Sequence, residues 1–319
     1  MKKIKQLQKI KEVYANGGNI IQYLKSINGN QSTNTIEDIM ISYDFQAGSY
    51  IKQLSENPEF KIKYCAAIAS IINQLGKIES IIEIGVGEGT TLGVLAKQCN
   101  NKSHKYLGFD ISWSRLKFGL DFISDLNLSN VDLFVANLFE IPLQDSSIDV
   151  VYTSHSIEPN GGKEEEALQE LYRITKKYLI LLEPSYEFAN EEARNRMKQH
   201  GYVTKLYKTA IDLGMKVVEH RLFDYSANPL NPTGLMIIEK EKSSTNSSEL
   251  VCPITFHSLD KIDDTILYSK ESGLSYPIMS NIPVLLKENS MLATHLLTDY
   301  ELFKMENSLH FDAIKNIDQ

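Results

Sequence analysis

The sequence has few cysteines and no long apolar run. Its three cysteines, Cys65, Cys99 and Cys252, are widely spaced and odd in number, so no disulfide framework is expected and a reducing compartment is favoured. No segment approaches the roughly 20 apolar residues that cross a bilayer. The basic start, MKKIKQLQKIK, lacks the apolar stretch of a signal peptide after it. These absences predict a cytoplasmic protein with no membrane span.

Positive charge is also scarce. The 33 basic residues are outnumbered by 41 acidic ones, which gives a formal net charge of −8. A molecule of this charge repels polyanions unless a local basic patch reverses the field, so nucleic acid is disfavoured as a partner. The hydrophobic content of 42% is that of an ordinary folded protein. The length of 319 residues predicts about two domains.

Strand-like and helix-like patterns alternate through the middle of the chain. Apolar runs such as SIIEIGV, KYLGFDI, VDLFVAN, DVVYTSH and YLILLEP are separated by amphipathic stretches such as SRLKFGLDFISDL and EEEALQELYRI. This alternation predicts an α/β fold whose sheet is mostly parallel, with helices on both faces. The runs KVVEHRLFDY and TGLMIIEKE have no helix between them. They predict an antiparallel hairpin at the sheet edge.

Composition shifts divide the chain into five predicted segments. The polar, Ser-rich stretch KEKSSTNSSE separates the α/β part from a small tail with short apolar runs and turns. The segments are a helical extension (1–60), the main domain (61–240), a linker (241–249), a small α+β module (250–290) and a C-terminal helix and tail from about Met291 (291–319).

The stretch SIIEIGVGEGTTLGVLA places glycines at 85, 87 and 89, directly after an apolar strand. Glycine lets the backbone approach a ligand closely, although a tight turn without a ligand also uses it. A phosphate-binding P-loop would need a Gly-Lys-Ser/Thr sequence that is absent here. A dinucleotide fingerprint would need a third small residue where Thr90 stands.

The pattern acid-x-Gly-x-Gly-x-Gly resembles the first motif of class I S-adenosylmethionine-dependent methyltransferases. Within that class, the sequence is similar to the methyltransferases of type 11. The resemblance covers about residues 43–240 and implies a Rossmann-like sheet, methyl transfer and S-adenosyl-L-methionine as cofactor. The positions that match the family's cofactor-binding residues are Tyr43, Tyr50, Glu83, Gly85, Gly87, Gly89, Asp110, Ile111, Asn137, Leu138 and Ser154.

The resemblance gives several of these positions a role. Asp110, in YLGFDIS, would accept hydrogen bonds from both ribose hydroxyls. Dinucleotide-binding enzymes use an acidic residue in the same way, so this position does not distinguish the two cofactors. Asn137 stands where the family usually has Asp facing the adenine amino group. Tyr43 and Tyr50, in YDFQAGSYIK, match a lid segment that folds over the cofactor.

The tail, LVCPITFHSLDK to GLSYPIMSNIPVLL, resembles a small zinc-ribbon-like module that accompanies or activates methyltransferases of tRNA, rRNA and release factors. A structural zinc site needs about four ligands. Cys252 is the module's one cysteine, and Thr255 stands where a second would fall, so no metal is predicted. We expect a packing platform or a homodimer surface in preference to direct substrate contact.

The stretch after the fourth strand carries the candidate catalytic residues. His155 would act as general base for a hydroxyl, with Glu158, Glu183 and Tyr186 as orienting groups; alternatively, His155 only packs beside the cofactor. The Asn-Pro-Pro-Tyr motif of enzymes that methylate amide or adenine nitrogen is absent. The sequence therefore favours a small-molecule or glycan-type acceptor, methylated on oxygen. Methylation of RNA or a translation protein, and a non-catalytic cofactor-binding subunit, are the alternatives.

Overall fold

The computed structural model describes residues 4–27, 33–101, 104–240, 246–296, 300–315 and 317. The predicted linker thus lies partly outside the described residues. The helices within them are α1 (Leu7–Ala15), α2 (Ile20–Ile27), α3 (Ile36–Phe45), α4 (Ser49–Glu56), α5 (Pro58–Asn73), α6 (Thr90–Gln98), α7 (Trp113–Asp125), α8 (Glu164–Ile174), α9 (Glu191–His200), α10 (Leu206–Asp212), α11 (Tyr300–Glu306) and α12 (Asp312–Lys315).

The strands form one large sheet and one small sheet. The large sheet contains β1 (Ser80–Ile84), β2 (Lys105–Asp110), β3 (Val131–Val135), β4 (Ile148–Ser154), β5 (Thr175–Pro184), β6 (Lys216–Leu222) and β7 (Thr233–Glu239). The small sheet contains β8 (Asp260–Lys261), β9 (Ile266–Ser269), β10 (Leu274–Met279), β11 (Ile282–Pro283) and β12 (Met291–Leu292).

The large sheet has the order β3-β2-β1-β4-β5-β7-β6. Strands β1 to β5 pair in parallel, whereas β7 runs antiparallel to both β5 and β6. This topology confirms the predicted α/β fold with its antiparallel edge hairpin. Chain order reverses between β1 and β4, and in such sheets ligands bind beyond the carboxyl ends of the strands at that reversal.

Apolar residues alternate between the two faces of the buried strands and so build a core on each face. In β1, for example, Ile81 belongs to one core cluster, and Ile82 and Ile84 to the other. All five residues of β1 are buried, as expected for a central parallel strand covered by helices on both sides. The central strands are thereby fixed, and their carboxyl ends form a rigid base for a site.

The N-terminal helices form a small unit over that end of the sheet. Their own core contains Ile10, Ile20, Leu24 and Ile41. Helix α3 begins with a capping box, in which the Thr35 hydroxyl accepts from the Asp38 amide and the Asp38 side chain accepts from the Thr35 amide. We call α3 and α4, residues 36–56, the lid.

Asp44 at the end of α3 joins the lid to α7. Its carboxylate accepts hydrogen bonds from Ser112 Oγ at 2.6 Å and from Ser114 Oγ at 3.0 Å. It also accepts from the Ser114 amide at 3.3 Å. A carboxylate at a helix N-terminus is stabilised by the free amides and by the helix dipole, so this contact fixes the lid against the large sheet.

The C-terminal segment shares the core of the large sheet. The Leu285 amide donates to Val135 O at 2.9 Å, and Val284 forms a parallel bridge with Val135 at the edge strand β3. Ile282 lies in the core cluster on one face and Cys252 in that on the other. The small sheet therefore continues the main domain across its β3 edge.

The predicted helix from Met291 is wrong at its start. Met291 and Leu292 form β12, which pairs with Ser275 and Leu274 of β10. The short apolar pair is held by an available strand edge, and the described helical residues of the tail begin only at Tyr300. Within the described ranges, no helix is both long and apolar enough to cross a membrane.

Candidate active site

A cavity of about 560 Å³ lies between the carboxyl ends of β1, β2 and β4 and the lid. Small-molecule sites have volumes of roughly 300–1,000 Å³. Ten of the eleven predicted cofactor-binding residues line it. The exception is Gly89, which caps α6 with a φ of 68°. We call the part around Gly85, Gly87 and Asp110 the glycine end, and the part around His155, Asn160 and Thr233 the histidine end.

The glycine end needs residues without side chains. Gly85 has a φ of +63°, and a Cβ built on it would lie 2.5 Å from Ser156 Cβ. Gly87 has a φ of +56°, and its Cβ would lie 3.4 Å from Arg115 Nη1. Positive φ is costly for other residues, so these positions keep the floor of the cavity open and its backbone exposed to a ligand.

Asp110 orders the glycine end from the tip of β2. Its Oδ2 accepts from the Gly87 amide and its Oδ1 from the Ser112 amide, each at 2.9 Å. Burial raises the pKa of this carboxyl above its ordinary value, although the nearby Arg115 and the two amide donors oppose the shift. Asp110 still lines the cavity, where its remaining lone pairs would accept from ligand hydroxyls.

Glu83, at the end of β1, is a buried carboxyl at the bottom of the cavity. Burial raises its pKa to about 8, while the hydrogen bond from Tyr152 and the charge of Lys61 act in the opposite direction. The Tyr152 hydroxyl donates to Glu83 Oε2 at 2.8 Å. This hydrogen bond holds the Glu83 carboxyl in one orientation. A cationic group of a ligand placed beside it would lower its pKa and favour the ionised form.

Arg115 forms the contact between the glycine end and the lid. Its guanidinium lies 4.3 Å from the ring centroid of Tyr50 and 5.1 Å from that of Tyr43. Glu88 is 3.7 Å from Arg115 Nη2 and accepts from the Ile51 amide at 2.7 Å. The two predicted lid tyrosines are therefore placed over the cavity by cation–π contacts.

The other predicted cofactor residues line the cavity on the side of β2, β3 and β4. Ile111, Asn137 and Leu138 follow the ends of β2 and β3. Asn137 Oδ1 accepts from the Phe139 amide at 3.2 Å, which fixes its side-chain orientation. Ser154, at the end of β4, shares a hydrogen bond of 2.9 Å with the Tyr64 hydroxyl.

His155 is held at both ring nitrogens. It has a φ of 54°, unusual for a residue with a side chain. Its Nδ1 lies 2.9 Å from Glu158 Oε2, and its Nε2 lies 2.7 Å from Thr233 Oγ1. Burial lowers its pKa, but the hydrogen bond and charge of Glu158 and the charge of Glu183 outweigh this and raise it overall.

Glu183 supports the loop that carries His155. Its carboxylate accepts from the amides of Ser156, Ile157 and Glu158 at 3.0, 3.3 and 3.1 Å. Burial raises its pKa to about 7, while the charge of His155 and these amide donors act against the shift. The histidine end is therefore a group of coupled ionisable residues.

Two of the three predicted catalytic residues, His155 and Glu158, lie together, and Tyr186 lies apart from them. His155 lines the cavity, and Glu158 lies behind it as a hydrogen-bond partner. Tyr186 packs beside α9 with Ala189, Ala193 and Met197, outside the residues that line the cavity. The roles of all three remain predictions.

Sequence reasoning missed Arg115, Lys61, Tyr64 and Thr233, which line the same cavity. Arg115 follows Asp110 by five residues and lies in the first turn of α7. Thr233 begins β7 and lies 78 positions from His155. Only pairing of β7 with β5 brings it to the site.

Polar atoms at the wall fit a bound polar ligand. Ser156 Oγ and Arg115 Nε are buried and have no hydrogen-bond partner among the described residues. Buried polar atoms normally have partners, so these two, the buried Asp110 and the open glycine floor suit a ligand with several hydrogen-bonding groups. Within the described part of the chain, no cluster of three or more His, Cys, Asp or Glu residues is arranged to hold a metal.

Residues 81–178 match the model of a family described as a methyltransferase domain. This part of the chain is therefore similar to a methyltransferase domain. The match agrees with the predicted kind of enzyme domain and with S-adenosylmethionine as its cofactor, and the strand order agrees with the predicted Rossmann-like sheet. The cavity lies where β1 and β2 of this domain end.

The chain is similar to two curated methyltransferases. A malonyl-[acyl-carrier protein] O-methyltransferase of Marinomonas sp. is 26% identical over 149 residues, 43% of this chain and 53% of that protein. A demethylmenaquinone methyltransferase of Listeria monocytogenes is 27% identical over 97 residues, 30% of this chain and 40% of that protein. The chain thus spans about half of the first relative's length and less of the second's.

Among solved structures, the chain is similar to a SAM-dependent methyltransferase from Aquifex aeolicus. The TM-score is 0.44 at 18% sequence identity, over 60% of this chain and 97% of that one.

Proposed function

We propose that the protein is an S-adenosylmethionine-dependent methyltransferase that acts on oxygen of a small-molecule acceptor. The main support for this proposal is that Gly85, Gly87 and Asp110 together line the glycine end of the cavity, within the region that matches a methyltransferase domain. The two curated relatives are named for malonyl-[acyl-carrier protein] and demethylmenaquinone as acceptors, and neither of these is RNA. The acceptor and the methylated atom are part of the proposal.

The chain's own residues divide the task between the two ends of the cavity. Asp110 would bind the ribose hydroxyls, Asn137 would face the adenine, and Tyr43 and Tyr50 would close over the ligand. When bound, the cofactor supplies an electrophilic methyl group. The protein aligns the acceptor and excludes water, and the partly exposed His155 with Glu158 stands where the acceptor would lie.

We also propose that residues 250–290 are a built-in packing platform similar to the zinc-ribbon-like activator modules. Their bridge to Val135 supports the β3 edge, directly beside Asn137. A homodimer through this segment would use its exposed apolar side chains, among them Met279 at 49% exposed, and the adjoining Leu292 at 76% exposed. A glycan acceptor remains an alternative to a smaller one.

Calorimetry with S-adenosylmethionine tests the proposed function. The wild-type chain should bind the cofactor, and Asp110→Ala should weaken binding by at least tenfold because hydrogen bonds to a charged acceptor each contribute roughly 1.5–3 kcal/mol. Asp132→Ala, an exposed carboxylate on the neighbouring strand β3, is the matched control and should leave affinity unchanged. Equal affinity in all three folded proteins, or tighter binding of NAD, would overturn the assignment.

A second assay addresses the acceptor. Labelled cofactor is incubated with cell-extract fractions that separate small molecules, glycans, RNA and protein. Label should enter the small-molecule fraction. Label in RNA or protein would contradict the proposed acceptor class, and cofactor binding without transfer to any fraction would favour a non-catalytic subunit.

A further inference from the structure

Strand β6 is the last strand of the large sheet, and one of its edges is open. It pairs with β7, and among the described residues no other strand pairs with it. The register with β7 shifts between Val217 and Glu219, so Val218 is an extra, bulged residue. An open edge carries N–H and C=O groups that can pair with a strand of another chain. The edge from Glu219 onward, past the bulge, is therefore available for pairing.

An exposed apolar surface lies beside this edge, on the face of β6 that meets α10. The His220 ring stacks on that of Tyr207 in α10, with centroids 4.1 Å apart and planes at 10°, and lies 4.9 Å from the ring of Phe188. Ile211, one turn after Tyr207, is 48% exposed, and Leu222, on the same face of β6 as His220, is 47% exposed. We call these five residues the edge patch. Large apolar side chains exposed together in this way mark an interaction surface.

The opposite face of β6 carries two charges of opposite sign. Arg221 Nε donates to Glu219 Oε1 at 2.6 Å, and the two side chains are 40% and 39% exposed. Arg221 Nη1 also lies 3.4 Å from Asp224 Oδ1. These groups remain accessible to the charges of a partner.

The sequence KVVEHRLFD, from Lys216 to Asp224, is self-complementary about His220. A strand that pairs antiparallel with its own copy lies on a two-fold axis. Hydrogen-bonded and non-hydrogen-bonded pairs alternate along such a ladder, so one residue must lie opposite its own copy at the axis. With the axis at His220, each charged position faces an opposite charge and each apolar position faces an apolar one. The facing positions are Glu219 with Arg221, Val218 with Leu222, Val217 with Phe223, and Lys216 with Asp224.

The two neighbouring registers are unfavourable. An axis at Glu219 would place this carboxylate opposite its own copy, and an axis at Arg221 would do the same with two guanidinium groups. Like charges directly opposite each other destabilise a sheet. Charges that only protected the edge would need no matching register. The charge pattern of β6 therefore selects a second copy of this chain, in one register.

We propose that the protein forms a two-fold symmetric homodimer in which β6 pairs antiparallel with β6 of a second copy, centred on His220. The bulge at Val218 keeps the regular ladder short, so the two edge patches, which meet on one face of the joined sheet, supply the apolar part of the interface. On the other face, Glu219 and Arg221 of both copies form a ring of four alternating charges. This interface is separate from the exposed side chains of the C-terminal segment around Met279.

Sedimentation equilibrium of the full chain tests the assembly. We expect a species of twice the 36.2 kDa of one chain at micromolar concentration. A chain that stays monomeric throughout the micromolar range would overturn the inference.

Charge reversal tests the pairing of Glu219 with Arg221. Arg221→Glu places two carboxylates opposite each other twice in each dimer, so the dissociation constant should rise by roughly a hundredfold or more. The double variant Glu219→Arg with Arg221→Glu restores opposite charges and should dimerise almost as well as the wild type. Because exposed ion pairs contribute little within one chain, thermal unfolding of the monomers should differ little. A double variant as monomeric as the single one would contradict the pairing.

His220→Cys tests the register directly. The three native cysteines are buried, whereas side chains directly opposite in an antiparallel pair have Cβ atoms about 4.5–5.5 Å apart, close to the spacing of a disulfide. This variant should form a covalent dimer under mild oxidation. Leu222→Cys is the matched control, because its side chain would face Val218 of the copy and not its own counterpart. Equal yields of covalent dimer in the two variants, or a higher yield in the control, would rule out the axis at His220.

Two equally exposed apolar residues separate this surface from the C-terminal segment. Ile211→Asp should weaken the dimer, whereas Met279→Asp should not; the native side chains are 48% and 49% exposed. The reverse result would place the interface at the C-terminal segment and refute the proposal. Neither residue lines the cavity, so cofactor affinity should be unchanged in both. A chain that dimerises through β6 but binds no cofactor would contradict the proposed function and leave this inference standing.

Discussion

The glycine end of the cavity is shaped by backbone, whereas the histidine end is shaped by side chains. At the glycine end, positive φ angles at Gly85 and Gly87 and one carboxylate that binds a backbone amide define the floor. At the histidine end, His155 and Glu158 of the loop after β4 meet Thr233 of β7, and their hydrogen bonds depend on the protonation state of the histidine. Changes at the first end should act by steric exclusion, and changes at the second should act in a graded, pH-dependent way.

The largest effect should come from a single methyl group at the glycine end. Gly85→Ala places a Cβ 2.5 Å from Ser156 Cβ at a φ of +63°. We expect it to abolish binding of S-adenosylmethionine and to lower the free energy of unfolding by about 3 kcal/mol, through overpacking and backbone strain together. Calorimetry and urea denaturation measure the two effects.

Gly214→Ala is the matched control for that change. Gly214 has a φ of +70°, but a Cβ there meets nothing within 4 Å. It should cost only the backbone strain, about 1 kcal/mol, and leave cofactor affinity intact. If the two variants bind the cofactor equally well, close packing at Gly85 is not what shapes the floor.

The two ends also differ in how far their residues can be predicted from the sequence. The glycine end lies in short contiguous motifs, and the strand pattern places those motifs at carboxyl ends of neighbouring strands, so its residues were predictable. The edge hairpin was predictable for the same reason, since two apolar runs had no helix between them.

Sequence reasoning could not reach contacts that arise only from tertiary pairing. Thr233 meets His155 because β7 inserts antiparallel beside β5, and no local pattern encodes that proximity. Tyr186 was expected beside His155, but packing on α9 holds it elsewhere. The C-terminal segment was expected as a separate module; its use of the β3 edge depends on the register of Val284 with Val135.

The stability of the fold should depend on pH through two buried carboxyls, Glu83 at the glycine end of the cavity and Glu183 at the histidine end. Burial raises the pKa of Glu83 to about 8 and that of Glu183 to about 7. A carboxyl with a raised folded-state pKa keeps a proton that the unfolded chain releases, so stability falls as pH rises from the unfolded value toward the folded value. The cofactor-free chain should lose stability between pH 5 and pH 8, and Glu83, whose pKa is raised further, should account for the larger share of the loss.

Urea denaturation at several pH values separates the two carboxyls. Glu83→Gln should flatten the slope up to about pH 8, and Glu183→Gln only up to about pH 7. The raised pKa of His155 acts in the same direction, since the stability from its protonated form is present at low pH and is lost as pH rises through that pKa. A slope unchanged in Glu83→Gln would mean that this carboxyl is ionised in the folded protein.

The smallest expected effect concerns the lid, which covers both ends. Asp44→Ala removes the hydrogen bonds from Ser112 Oγ, Ser114 Oγ and the Ser114 amide. The lid keeps its contacts through the Ile51 amide to Glu88 and through Tyr50 over Arg115, so it should loosen without detaching. We expect cofactor affinity to fall by about tenfold, the equivalent of one charged hydrogen bond of roughly 1.5 kcal/mol.

The control for Asp44→Ala lies on the same helix as its partners. Asp121 pairs with Lys117 on the exposed face of α7 at 2.6 Å, and surface pairs of this kind contribute little. Asp121→Ala should leave cofactor affinity unchanged. Because Asp44 faces neither end of the cavity directly, its effect should appear mainly as faster dissociation of bound cofactor in stopped-flow measurements. An unchanged dissociation rate in Asp44→Ala would show that the contacts of Arg115 with Tyr43 and Tyr50 are sufficient to hold the lid closed.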